Sequence, residues 1–227
     1  MWEKVFSGTP FFICFYDIEV IFLISSAIIQ DVQNKLETKS TLVAYYYFDY
    51  KDSSKRDLSG LLASLVFQLG GGSVRCWSVL YQLYTKCRNG SDQPSNAALA
   101  ECLGNMLKLS SQLPIFIILD ALDECPNATE TPSAREKVLN FLDNLVESEH
   151  LNAFICVTSR PEQDIQCVLN PLTSPSRRVS LHDEAGQRED INRYLRSFVQ
   201  ADRAMQRWKA EDRELVINAL SEQANGM

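Results

Sequence analysis

The chain has 227 residues, enough for one domain or one and a half. Hydrophobic residues make up 45% and charged residues 22%, values that exclude wholesale disorder. Asp plus Glu outnumber Lys plus Arg by 29 to 22, a net charge of −7, which argues against a dedicated nucleic-acid binder with a basic face.

Phe11 to Tyr16 is aromatic and β-prone, and reads as a first strand. From Ile18 to Leu36 an apolar stripe recurs every three or four residues, the period of an amphipathic helix. The run from Phe11 to Ile29 carries Asp17 and Glu19, whose charges are costly in lipid, and no basic segment precedes it. A buried strand and helix are expected there, not a membrane span. Leu42 to Phe48 reads as a second strand. Leu58, Leu61, Leu62, Leu65, Val66 and Leu69 share one helical face, and Gly70, Gly71 and Gly72 are expected to end that helix. Val74, Trp77, Tyr81 and Tyr84 predict another helix ending at Asn89-Gly90, with the aromatic stripe turned to the core. Ser95 is placed to cap the next helix, which turns Leu99, Cys102, Leu103 and Met106 inward.

Ile115 to Leu122 is a continuous apolar run that fits a strand buried on both faces of a parallel sheet. Ser133 and Glu136 form a capping box ahead of Val138, Leu139, Leu142, Leu145 and Val146. Ala153 to Thr158 is another apolar strand, followed by a short helix over Glu162 to Leu169 and a last strand over Arg178 to Leu181. Asp190 to Val199 and Glu211 to Ala224 read as helices. Alternating strands and helices predict an α/β fold, a parallel sheet with helices on both faces.

Seven cysteines lie scattered without a C-x-x-C pair, so zinc-ribbon and thioredoxin chemistry fail and a reducing compartment is expected. The two histidines, His150 and His182, sit near no Cys or Ser in a catalytic pattern, and there is no G-x-S-x-G elbow.

The chemistry concentrates in Ile115-Phe116-Ile117-Ile118-Leu119-Asp120-Ala121-Leu122-Asp123-Glu124. A parallel sheet binds ligands outside the carboxyl ends of its strands, and an apolar strand ending in Asp puts a hard oxygen there. Asp120 is therefore the metal candidate. Asp123 and Glu124 are the acids that could orient or deprotonate a water, with Glu124 the preferred base. On the next strand, Thr158-Ser159-Arg160 ends at the same edge, where Arg160 could reach a phosphate or simply pair with Asp120 or Asp123.

Several strings together carry a family resemblance: Tyr45-Tyr46-Tyr47-Phe48-Asp49, Leu61 to Leu69, Leu119-Asp120-Ala121-Leu122-Asp123-Glu124-Cys125, Thr158-Ser159-Arg160-Pro161 and Asp190 to Leu195. From Leu42 onward the chain resembles fungal NACHT-type, nephrocystin-like N-terminal NTPase domains of the STAND class. The resemblance implies a three-layer P-loop NTPase sheet, ATP or GTP with Mg²⁺, and signal transduction in self/non-self recognition. It further implies protein partners or a homo-oligomer, a cytoplasmic location and no membrane span. By the same resemblance the Walker B metal ligand maps to Asp120, the acidic pair to Asp123 and Glu124, and the sensor arginine to Arg160. In such sheets the first strand lies between the neighbour of the Walker B strand and the last strand, so Phe11 to Tyr16 is expected to pair in parallel with Ala153 to Thr158.

One part of the pattern is missing. The phosphate-cradling loop G-x-x-x-x-G-K-[ST] would fall near residues 15–22, which read Phe15-Tyr16-Asp17-Ile18-Glu19-Val20-Ile21-Phe22. No Gly-Lys pair occurs anywhere in the chain, and two acids stand where a triphosphate would lie. The sequence thus divides into a divergent segment over 1–24, a NACHT-like core over 25–185 and a helical extension over 186–227 that reads as the start of a truncated subdomain. The expected function is a NACHT-family fragment deficient in nucleotide binding. The alternatives are an active ATP- or GTP-hydrolysing switch with an unrecognised loop, and a pure protein-interaction module. An exposed apolar patch over Val20 to Ile24, with a tendency to aggregate, is also expected.

Overall fold

A computed structural model describes residues 11–15, 29, 41–109, 114–127, 131–147, 153–180, 193–200, 202 and 205–223. The chain divides into two compact units, Met1–Val179 and Ser180–Met227.

The first unit is built on one sheet of five strands: β1 (Phe11–Phe15), β2 (Leu42–Tyr47), β3 (Ile115–Asp120), β4 (Ala153–Ser159) and β5 (Arg178–Ser180). Their order across the sheet is β2-β3-β4-β1-β5. The β2–β3, β3–β4 and β4–β1 ladders are all parallel. β1 pairs with β4 as expected, with Phe11 opposite Ile155 and Phe15 opposite Ser159. All six residues of β3 are buried, so both faces of the sheet are covered at its centre. This is an α/β architecture compatible with three layers.

The helices of this unit are α1 (Leu58–Gly72), α2 (Val74–Lys86), α3 (Asn96–Leu109), α4 (Ala134–Glu147) and α5 (Gln163–Leu169). Their starts are set by local chemistry. Asp57 Oδ1 accepts from the Gly60 amide at 2.8 Å, and Ser95 Oγ accepts from Ala98 at 3.2 Å. The capping box forms in both directions: the Glu136 amide donates to Ser133 Oγ at 3.0 Å, and the Ser133 amide donates to Glu136 Oε2 at 3.3 Å. The stripes predicted for α1, α3 and α4 face a single core with β2, β3 and β4.

Two expectations about helices are corrected. Gly70 and Gly71 do not end α1; the helix runs through them to Gly72, with Ser73 as its C-cap. Gly70 lets α2 pack closely, since a Cβ there would lie 2.6 Å from Leu80 Cδ2 and that side chain would have to shift. Close packing of two helices outweighs the roughly 1 kcal/mol helix penalty of a glycine. The aromatic stripe of α2 does not face the core: Trp77 and Tyr81 are each 55% exposed and Tyr84 is 47% exposed. The inward face of α2 is instead Cys76 and Leu83. The chain leaves α2 through a 3-10 turn, Arg88–Gly90, in which Arg88, Asn89 and Gly90 all have positive φ.

β2 is an edge strand. Its outer edge is occupied at one point: the Tyr45 amide donates to Gln68 Oε1 at 3.1 Å, and Gln68 Nε2 donates to the Tyr45 carbonyl at 2.7 Å. The α1 side chain thus stands where a neighbouring strand would pair.

The second unit contains α6 (residues 193–200) and α7 (Ala210–Gln223). A bidentate ion pair, Arg196 to Glu214 at 2.5 and 2.9 Å, joins them beside the buried Val199 and Ile217. No helix among the described residues is long and apolar enough to cross a membrane. Of the predicted helix over 18–36 only Ile29 is described; it is helical and buried. The predicted patch over 20–24 and the loop position over 16–22 lie outside the described residues.

Candidate functional site

Asp120, Asp123 and Arg160 come together at the carboxyl ends of β3 and β4, whereas Glu124 leaves them. The register that sets Leu119 opposite Val157 brings Asp120 level with Thr158. Both are buried, and Thr158 Oγ1 donates to Asp120 Oδ1 at 2.5 Å. The same hydroxyl oxygen accepts from the Ala121 amide at 3.1 Å. Thr158 therefore ties the end of β3 to the end of β4 with one side chain.

The chain turns sharply after Asp120. Ala121 is left-handed, with φ 55° and ψ 49°, a conformation that costs a residue bearing a Cβ about 1 kcal/mol or more. It leads into a 3-10 turn, Leu122–Glu124, which lifts the two acids onto the edge of the sheet. Asp123 folds back over β4. Its Oδ1 accepts from the Arg160 amide at 3.1 Å and from Ser159 Oγ at 3.4 Å, and its Oδ2 lies 3.2 Å from Arg160 Nε. The Asp123 side chain is 4% exposed, that of Arg160 37%. Glu124 points the other way, where its Oε2 accepts from the Tyr50 amide at 3.3 Å beyond the end of β2. Of the two roles foreseen for Arg160, pairing with Asp123 is the one the geometry displays.

Beneath this turn lies a residue that pattern reading passed over. Arg135, in the first turn of α4, is buried, with 6% of its side chain exposed. Its Nε donates to the Cys125 carbonyl at 2.8 Å and its Nη2 to the Asp123 carbonyl at 2.6 Å. Its Nη1 pairs with Glu162 and, at 3.1 Å, with Asp164, both on the segment after β4. Burial works against the Arg135 charge, but the hydrogen bond and charge of Glu162, then those of Asp164, hold its pKa above the ordinary value. One guanidinium fork thus fixes the β3 turn and the β4 exit together. Nothing in the sequence marks it, since Arg135 occupies the second position of an ordinary capped helix.

Cys125 closes the turn from below. It is fully buried, its thiol donates to the Arg56 carbonyl at 3.2 Å, and its pKa is pushed up to about 12. Burial is the main cause; Arg135 pulls the other way and Asp57 adds to the rise. Such a thiol is inert at neutral pH.

The donor set decides which groups could sit here. Among the described residues no cluster of three or more His, Cys, Asp or Glu side chains is arranged to hold a metal ion. A hydrated Mg²⁺ needs only one or two carboxylates, so Asp120 suits the metal part of a nucleotide complex. The phosphate part does not fit: it requires glycine amides and a lysine, and the chain has no Gly-Lys pair. The residues present therefore do not make a complete nucleotide site.

A family model described as Nephrocystin 3, N-terminal, matches residues 23–160, which span β2 to β4 and end at Arg160. A comparison with curated proteins finds no match.

Proposed function

The chain belongs to the nephrocystin 3 N-terminal family, and from that premise we propose that it is a NACHT-type, STAND-class signalling domain whose sheet descends from a P-loop NTPase and whose nucleotide site is degraded. One observation carries the reading. β1 lies between β4 and β5, and the ends of β3 and β4 beside it bear Asp120 and Arg160. That placement supports a Walker B acid at Asp120, an acidic pair at Asp123 and Glu124, and a sensor-like arginine at Arg160. The crevice next to the strand where chain order reverses is where a parallel sheet receives its ligand.

The reading has two parts. The ancestral cofactor is ATP or GTP with Mg²⁺, held by Asp120 through the metal. This chain lacks the Gly-Lys pair of the cradle, so affinity is weak or nil. What remains is a sheet domain acting through protein contacts, in a cytoplasmic signalling assembly or a homo-oligomer.

Isothermal titration of the purified chain with ATP and with GTP, each with excess Mg²⁺, tests this. No heat of binding is expected at ligand concentrations up to millimolar. A micromolar dissociation constant that Asp120→Ala abolishes would overturn the degraded-site reading and establish an active switch with an unrecognised loop.

A further inference from the structure

Arg178 opens β5, which lies beside β1 at the edge of the sheet. Its side chain is half-buried, yet the fold leaves it short of acceptors. Nη2 donates to the Thr173 carbonyl at 3.5 Å, beyond the usual range of such a bond. Nε is shielded from solvent without a hydrogen-bond partner, and no carboxylate among the described residues pairs with the group. Arg135 and Arg160, by contrast, both have carboxylates in place. A guanidinium carries five N–H donors in a fixed fork and never loses its charge, so Arg178 stands ready for an anion.

The carbonyl that it touches belongs to the residue just before Ser174. Ser174, Pro175 and Ser176 are all exposed, on the turn that leads into β5. Ser174 is extended, with φ −70° and ψ 151°, the conformation that a following proline favours, and its bond to Pro175 is trans. An exposed, extended serine followed by a trans proline is the acceptor that proline-directed protein kinases take. Arg177, three residues after Ser174, is buried and is not offered to a kinase, so recognition rests on the Ser-Pro pair. Ser176 Oγ lies 3.0 Å from Ser174 Oγ, so a second hydroxyl stands at the same point.

We propose that Ser174 is a phosphorylation site and that Arg178 is the receptor for its phosphate. In the transfer, Ser174 Oγ bonds to the γ-phosphorus of ATP, and the bond from that phosphorus to the β–γ bridging oxygen breaks. ADP leaves, and the hydroxyl proton passes to the kinase. The product brings close to two negative charges and three acceptor oxygens to the turn. Arg178 supplies charge-assisted donors from Nε and Nη2, and Ser176 Oγ supplies a neutral one. The phosphate thereby ties the turn to the first residue of β5. A free phosphate ion would have to be held by this one cation, whereas a phosphoserine is kept beside it by its own chain. The proposal is independent of any nucleotide at the sheet edge.

The test treats the full chain with a purified cyclin-dependent kinase, ATP and Mg²⁺, and maps the product by tandem mass spectrometry. Phosphate on Ser174 is expected; Ser174→Ala should remove it from this turn, and Ser176→Ala should not. Capture by Arg178 is read on the phosphorylated chain. Its ³¹P signal should titrate about half a pH unit or more below that of phosphorylated Arg178→Gln, because a neighbouring cation favours the doubly charged phosphate. Phosphorylation should raise the melting temperature by about 2–4 °C, and Arg178→Gln should lose that gain. Phosphate on Ser176 instead of Ser174, or no transfer to the folded chain when a peptide of residues 168–180 accepts it, would overturn the site. The same titration and the same gain in Arg178→Gln would overturn the receptor. An equal gain in the unmodified chain from millimolar inorganic phosphate, lost in Arg178→Gln, would mark a free-anion site and also overturn the proposal.

Discussion

Arg135→Met is the sharpest test of how the acidic edge is held. The substitution keeps the unbranched stem out to about the Nε position and removes the fork. The two carbonyls it serves, Asp123 at 2.6 Å and Cys125 at 2.8 Å, then lose a charged donor in a buried setting. Hydrogen bonds to charged groups contribute about 1.5–3 kcal/mol each. Glu162 and Asp164 count for less, because their side chains are 41% and 35% exposed and water replaces the guanidinium there. Methionine in turn avoids the desolvation of a charge, which offsets part of the loss. The net cost is about 3 kcal/mol. In a unit of this size that lowers the melting temperature by roughly 6–12 °C. Urea unfolding followed by far-ultraviolet circular dichroism measures it, and the m-value should not change, since the surface exposed on unfolding is the same. Arg135→Lys should recover less than half, because an ammonium cannot bridge two carbonyls and a carboxylate at once. A loss below about 1 kcal/mol for Arg135→Met would refute the view that this residue fixes the β3 turn to the β4 exit.

Three further outcomes follow from single contacts. Thr158→Val, which keeps the shape and removes the hydroxyl shared by Asp120 and the Ala121 amide, should cost about 2–4 kcal/mol of unfolding free energy, and a cost under 1 kcal/mol would show that the hydroxyl does not tie the strands. The Cys125 thiol, moved from an ordinary 9.0 to about 12, is protonated in the fold where the unfolded chain has lost its proton; stability is full below pH 9 and falls from there toward pH 12, by about 1.4 kcal/mol per unit, and the slope between pH 9 and pH 10 in urea melts should be shallower in Cys125→Ala. Gln68→Ala bares the Tyr45 amide and carbonyl on the edge of β2, so light scattering should show concentration-dependent association where the parent chain shows less, and equal scattering would deny the clamp a role.

The strands were legible because their signals are local. β3 is a run of apolar residues ending in Asp, and a strand covered on both faces needs little else. The partner of β1 was implied by the family resemblance, in which the first strand lies beside the neighbour of the Walker B strand, and Phe11–Phe15 takes that place beside β4. Helix starts at Ser95 and Ser133 were readable for the same local reason, whereas the cap at Asp57 was seen only in the structure. What failed was long-range. Three glycines mark a helix end by propensity, and α1 does end at Gly72, but Gly70 sits inside the helix against Leu80 of α2. Trp77, Tyr81 and Tyr84 read as core by residue type, and only the third dimension shows that Cys76 and Leu83 took the inward positions. The candidate residues of the edge were singled out by motif, whereas the fork of Arg135 was not, because its partners lie 10, 12, 27 and 29 residues away in two different segments.

The way the edge is satisfied bears on what it can still do. A site built to receive a polyanion presents donors that wait for the ligand. Here the donors at the carboxyl ends of β3 and β4 face carboxylates of the same chain: the Arg160 amide and guanidinium take Asp123, the Tyr50 amide takes Glu124, and the Thr158 hydroxyl takes Asp120. For Arg160 to serve a phosphate it must leave Asp123, whose side chain is 4% exposed and would then be a nearly buried charge without its cation. Removing Asp123 as well frees the arginine at no such cost. Asp123→Asn should therefore raise any residual affinity for ATP with Mg²⁺ if Arg160 is a phosphate ligand held in check, and Arg160→Ala in that background should abolish the gain. If Asp123→Asn only destabilises the chain, with no heat of binding in the same titration, Arg160 is a strut of the sheet edge, and the acidic pair it holds serves the fold alone.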